Sequence, residues 1–376
     1  MKNSFVLIFI ITTLVCSCQL PKESLFNGTA YLAPAKKVFE LEDLFSAYEV
    51  VHLDETKLVP HVSKIISGGS RFLVLDAWST GGVFVFDEKG NFEHLIQSKG
   101  SGPDQYASLS DFQYSARHEK LFLMERSKLG FLTFDLNGKF LEKQSIKTDP
   151  GLSSHTFVLI DEADKLFFDL GYSGGHRIFR YDLITHESEK FLSLDSLYLK
   201  LNLSTNMTMA HSGKLISYIS PLEYQILKFN TDGNLQGVID LDLGDYHLGK
   251  DDLKALDDTR ALSDLMKTNP AGITPQLLET EDYYWVFYQI GDFQTGFPSM
   301  NIIDKEGGSK FQFSELSYNG VPLFHRFAGT MDGNRFIVAL NPEHINALSA
   351  EQRKRIEKLV PAEKEVANFI LLIGKI

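Results

Sequence analysis

The stretch VFVFDEKGNFEHLI, Val83 to Ile96, decides the fold. Apolar residues alternate on both sides of a polar turn, the period-two pattern of strands that set one face against a core. In the turn, Asp87 can cap backbone N–H groups, and Gly90, three residues on, can take the positive φ of a tight hairpin. The unit returns as FLTFDLNGKFLEKQSI from Phe131, IFRYDLITHESEKFL from Ile178, ILKFNTDGNLQGVIDL from Ile226 and MNIIDKEGGSKFQF from Met300. Its anchors Asp87, Asp135, Asp182 and Asn230 recur at intervals of 47 or 48 residues, and Asp304 follows after 74, one period plus an insertion. Calcium loops also space carboxylates around a glycine, but the further ligands such a loop needs are missing, so these are hairpin turns.

A second strand pair precedes each hairpin, as in VSKIISGG and RFLVLDAW, which run from Val62 to Trp78. Four short antiparallel strands per period make one blade of a β-propeller. Five such units span residues 62–99, 107–147, 155–194, 205–243 and 272–316. A sixth must be assembled from both ends of the chain. PLFHRFAGTMD, NRFIVALNP and ANFILLIGKI supply three strands, and YEVVHLDE, Tyr48 to Glu55, is free to supply the fourth. The expected fold is therefore all-β: a six-bladed β-propeller closed by an N-terminal strand. Closure removes an open edge that would invite aggregation.

The start of the chain has a different character. Lys2, the apolar run Phe5 to Val15, and then VCSC have the order of a bacterial lipoprotein signal peptide. Residues 1–17 would be removed, Cys18 lipidated, residues 18–37 left as a tether, and 38–376 folded as the propeller. Cys16 leaves with the signal, so no disulfide is expected. The formal charge of −12 argues against nucleic acid as a partner. These features describe a monomer of the bacterial cell envelope, at the outer membrane on its periplasmic or surface side, touching the membrane through its lipid alone.

GSGPDQY (Gly100 to Tyr106), the strand-Asp-x-x-Gly hairpins, the lipobox and the terminal LLIGKI together resemble the six-bladed β-propeller lipoproteins. These are NHL-like propellers of anaerobic Gram-negative bacteria. The family's tract runs Gly-x-Gly-Pro-Gly-Glu-Tyr; here Asp104 and Gln105 stand in place of its last glycine and its glutamate. The resemblance implies a fold and no particular activity. The tract itself joins one unit to the next: its glycines allow the turn, Pro103 stiffens it, and Tyr106 can pack its ring between blades.

Two helical insertions interrupt the strands, at about residues 249–270 and 342–364. The first carries Leu253, Leu256, Leu262, Leu265 and Met266 as an apolar stripe; the second has a capping-box pattern at Ser349 and Gln352. Both lie in connections that emerge on one face of the ring, and this face is the expected functional one.

GYSGG, Gly171 to Gly175, has nucleophile-elbow spacing, but HRIFRYD continues as a strand where an elbow needs a helix, so Ser173 reads as a loop residue. Asp76, Glu125 and Asp169 end equivalent strands, and a ring of carboxylates could hold Ca²⁺. They could equally accept hydrogen bonds from loop N–H groups. Asp104, Tyr106, His176, Asp292 and His325 are the further candidates for a ligand-binding face. Two functions remain open. One is a lipid-anchored binding or interaction module for a protein, glycan or small molecule. The other is a divalent-metal-dependent hydrolase or lyase of the propeller lactonase type, with its site at the channel mouth.

Overall fold

The computed structural model describes residues 27–126, 129–146, 152–172, 175–201, 203, 205–292, 295–361 and 364–376. The signal peptide, Cys18 and Ser173 lie outside these residues.

The chain folds as an all-β propeller. Sheet I comprises Lys64–Gly68, Arg71–Asp76, Gly82–Asp87 and Phe92–Ile96. Sheet II comprises Leu109–Ser115, Lys120–Glu125, Gly130–Asp135 and Phe140–Ser145. Sheet III comprises Thr156–Ile160, Lys165–Asp169, His176–Asp182 and Ser188–Ser193. Sheet IV comprises Met209–Ser212, Leu215–Ile219, Gln225–Phe229 and Leu235–Asp242. Sheet V comprises Gly272–Glu279, Tyr283–Ile290, Phe297–Asp304 and Gly308–Phe313. Sheet VI comprises His325–Met331, Arg335–Leu340, Ile370–Lys375 and Ala47–His52.

The middle strands of each sheet are almost wholly buried, whereas an outer strand such as Phe140–Ser145 is partly exposed along its length. Each sheet covers both faces with its neighbours, so its middle strands need apolar residues on both sides. Separate apolar clusters fill the gaps between I and II, II and III, III and IV, IV and V, V and VI, and VI and I. Aromatic rings recur in them: between III and IV, Phe191 meets Phe167 and Phe229 edge to face, with centroids 6.1 and 5.2 Å apart.

The expected latch is present. Ala47–His52 pairs antiparallel with Ile370–Lys375, Ile370 opposite His52 and Lys375 opposite Ala47. The turn of sheet I presses on this latch. Gly90 has φ +86°, and a Cβ there would stand 2.3 Å from the His52 carbonyl oxygen, so glycine is required on both counts. Its own carbonyl accepts from Asp54 N–H at 2.8 Å.

The hairpin anchors act as the sequence implies: the Asp87 carboxylate accepts from Lys89 and Asn91 N–H, Asp135 from Asn137 and Lys139, and Asn230 from Asp232 and Asn234. In sheet V the positive φ falls on Gly308 rather than Gly307. In sheet III His186 takes that conformation without a glycine, its ring 2.8 Å from the Tyr181 hydroxyl.

Two expectations need correction. Seven sheets are present where six were expected. The seventh, three-stranded, pairs Glu315–Tyr318 with Val321–Leu323 and, in parallel, with Val38–Glu40. Its strands have three or four residues, too short for periodicity to register, and Leu316, Tyr318, Val321 and Leu323 join the apolar cluster between V and VI. The second correction concerns the tether. Gly28–Tyr31 adds a parallel fifth strand to sheet IV, and the Tyr31 carbonyl accepts from Ser309 and Gln312 of sheet V. Ala30 and Leu32 are fully buried there. A few apolar residues with an available strand edge suffice to order this segment.

Both insertions are helical. Lys250–Lys254 and Thr259–Thr268 bury Leu253, Leu256, Leu262 and Met266 against loops of sheets III and IV. Pro342–Ala347 and Ala350–Arg355 bring Ile345 and the following Ile356 and Leu359 to the cluster between V and VI, and Ser349 and Gln352 form the capping box. Among the described residues no helix is long and apolar enough to cross a membrane.

Candidate functional site

A cavity of about 740 Å³ opens beside the first strand of sheet VI. Its walls come from His61 and Val62, which lead into sheet I, from Phe297 at the start of a sheet V strand, from Leu323 to Phe327, and from Asn341. These are outer-to-inner and second-to-third connections, the same two sets that carry the helical insertions. Asn341 itself caps helix Pro342–Ala347 by accepting from Glu343 and His344 N–H. The cavity therefore belongs to the insertion-bearing face.

Its interior is aromatic. Trp285 stacks on Phe327 at 5.1 Å and on Phe287 at 6.0 Å, with planes within 23° of parallel. Phe297 lies under the Lys36 ammonium at 5.7 Å, and Phe324 stands 64% exposed at the rim. Tyr283–Ile290 alternates its faces as strands do, which puts Trp285 and Phe287 on one side of the sheet, two residues apart.

Several polar groups border this wall. His325 Nδ1 lies 2.6 Å from the Leu323 carbonyl, which can only accept, so Nδ1 carries the proton. Burial holds its pKa down to about 4, and the ring is neutral at physiological pH. Arg326 follows it on the strand. His325 Nε2, Arg326 Nε and Trp285 Nε1 are all buried without a hydrogen-bond partner among the described residues. Such groups are uncommon in native proteins and gather where a site is incomplete. His61, 3.2 Å from the Ser63 hydroxyl, is held below its ordinary pKa by burial first and by Arg326 second.

The opposite mouth of the ring holds a larger cavity of about 930 Å³, lined by turns of sheets I, IV, V and VI. Glu279 and Lys305 pair across it at 2.6 Å, and Lys305 also lies 4.9 Å from the Tyr284 ring centre. With no aromatic wall among its lining residues, it is the less specific of the two.

Of the residues singled out in the sequence, His325 alone lines the aromatic cavity. Asp76, Glu125 and Asp169 do not come together; among the described residues no three His, Cys, Asp or Glu side chains are grouped to hold a metal ion. Each acid is satisfied by its own set of donors. Asp76 accepts from Trp78, Ser79 and Thr80 N–H, and Glu125 accepts from Ala107 N–H and lies 3.6 Å from the Lys143 ammonium. Asp169 accepts from Gly171 N–H and from the Thr208 and Tyr218 hydroxyls. Tyr106 is fully buried, its hydroxyl donating to the Gly81 carbonyl at 2.8 Å and accepting from Ser98 N–H at 3.2 Å. Beside it Gln105 Oε1 accepts from Gly102 N–H, so the residue in the glutamate position locks the turn, while Asp104 is exposed. Asp292 accepts from Thr295 N–H within its own loop, and His176 starts the third strand of sheet III. The tract 100–106 is a structural corner.

The sequence reading missed Arg326, Trp285, Phe287, Phe297 and His61. One signal was available: in LFHRF a guanidinium occupies an inner-strand position where the other sheets are mostly apolar. The aromatic residues had none, because a propeller uses Phe and Trp throughout its core.

Residues 32–375 match a family described as a domain of unknown function, DUF4934. Among solved structures, a Bacteroides fragilis NCTC 9343 protein, named as inferred to be exported, superposes with a TM-score of 0.70 at 15% identity. That alignment covers 93% of this chain and 99% of the other. A member of the DUF4221 family from Bacteroides vulgatus ATCC 8482 superposes with a TM-score of 0.57 at 9% identity, over 88% of this chain and 96% of that one. At such identities the likeness establishes the propeller fold alone. No curated protein matches the chain.

Proposed function

This chain belongs to the DUF4934 family, and from that membership and its cavity we propose that it is a ligand-binding propeller of the bacterial cell envelope. In this reading the chain is exported, as the name of its Bacteroides fragilis relative suggests for that protein, and is held to a membrane through Cys18. The propeller is a rigid platform, and the aromatic cavity on its insertion-bearing face is the recognition element. One observation carries the reading: a wall of Trp285, Phe287, Phe297 and Phe327 meets convergent polar groups, His61, His325 and Arg326 among them, the usual make-up of a small-molecule site.

Trp285 offers the test, since the chain has two tryptophans and the other, Trp78, is 59% exposed. In a Trp78→Phe protein, Trp285 is the sole indole reporter. Titration with small aromatic and aliphatic acids, amides, alcohols and amines is expected to give a saturable fluorescence change with at least one class, and a higher melting temperature with the same class. If every class leaves both signals unchanged, the cavity is not a binding site. Anchoring is read separately: Cys18→Ala is expected to move the protein from the membrane fraction to the soluble one.

A further inference from the structure

Arg326 sits in the aromatic cavity without a counter-charge. Its Nε is sealed from solvent with no partner, and none of its nitrogens makes a hydrogen bond or an ion pair among the described residues. The side chain is only partly buried, so its terminal nitrogens remain accessible while the rest of the group is enclosed. Elsewhere Arg177 pairs with Glu223 and Arg180 with Glu189, while Arg126, whose Nε is likewise sealed without a hydrogen-bond partner, lies over the Trp78 ring at 4.3 Å. Burying a guanidinium costs free energy unless something satisfies it, and its planar fork of donors fits a carboxylate.

We propose that the cavity takes a small monoanion that joins a flat apolar body to one carboxylate, with the carboxylate on Arg326 and the body among Trp285, Phe287 and Phe297. This rests on the reading of the cavity as a binding site. The charge count argues for a single negative charge: Lys36 and Arg326 set against Glu315 leave one net positive charge in the lining. His61 and His325 add none, being neutral at physiological pH, so a phosphate dianion would lack partners that a carboxylate does not need. Trp285 stacks within 23° of parallel on both Phe287 and Phe327; Trp285 and Phe327 are buried while Phe287 and Phe297 are partly exposed, so a planar body meets the aromatic wall chiefly at these last two rings.

The experiment uses the mature chain and matched pairs of probes: benzoate, 2-naphthoate and indole-3-acetate, each beside its neutral carboxamide. Dissociation constants are measured by calorimetry on wild type and on Arg326→Met, which keeps the length and apolar stem of the side chain. A charge-assisted bond to a partly buried guanidinium predicts a preference for carboxylate over carboxamide of roughly 10- to 100-fold in wild type. Arg326→Met should abolish that preference while leaving the carboxamide affinity unchanged. Equal affinity of wild type for acid and amide overturns the carboxylate assignment and leaves the cavity reading standing. No binding of either set overturns both. If Arg326→Met fails to fold, the wild-type ratio decides alone.

Discussion

Asp169 is the buried acid whose protonation the structure ties most directly to stability. It is 3% exposed, at the end of a sheet III strand, and Tyr218 beside it is fully buried. Burial raises its pKa from 3.8 to about 6, and the bonds from Thr208, Gly171 and Tyr218 only partly oppose that rise. In the folded state the acid therefore keeps its proton at a pH where the unfolded chain has lost it. The native state binds more protons across this window, so the contribution of Asp169 is fully present below about pH 4 and is lost as pH rises through about 6. A shift of about two units corresponds to ~3 kcal/mol. The perturbation is Asp169→Asn, which keeps an acceptor for Gly171 N–H and cannot ionise. Urea unfolding of both proteins across this range gives a difference curve in which most other carboxylates cancel, including the Asp87 and Asp182 anchors, whose depressed pKa values act in the opposite direction. Wild type is expected to lose ~3 kcal/mol relative to the variant as pH rises across the window. A flat difference curve, or one that rises with pH, refutes the assignment.

Tyr106→Phe removes a hydroxyl that serves both the Gly81 carbonyl and Ser98 N–H in the tract 98–106. Two polar groups are left without their bond in a buried corner, and the expected loss is about 2 kcal/mol in urea unfolding, with the fold retained. Gly90→Ala places a Cβ against the His52 carbonyl at a positive φ, and should cost about 2 kcal/mol or more. Its effect should reach the latch, so amide exchange at Ile370–Lys375 is expected to accelerate more than at the corresponding strand of sheet II; equal exchange in the two would separate the turn from closure.

Much of this architecture was legible in the chain itself. The interval of 47 or 48 residues between Asp87, Asp135, Asp182 and Asn230 sets four-strand units, because alternation and turn chemistry are local properties that each segment carries alone. The latch followed from counting strands. An incomplete last sheet and an unpaired Tyr48 to Glu55 leave one economical pairing. The capping box at Ser349 and Gln352 is likewise local, needing one turn of helix and nothing else. What escaped was short or cooperative. Gly28–Tyr31 and Val38–Glu40 are ordered by edges offered from sheets IV and VII, partners more than 200 residues away in the chain.

The candidate site divides in the same way. The sequence by itself determined strands, turns, the order of the units and the presence of His325 on an inner strand, since these depend on residue type and spacing along the chain. Tertiary structure alone decided that Asp76, Glu125 and Asp169 turn to separate sets of donors, and that Trp285, Phe297, Arg326 and His61 share one cavity. The physical reason is distance. A ligand site needs side chains converging from several sheets, and that convergence is set by how the sheets pack around the ring, which no period within a single segment records.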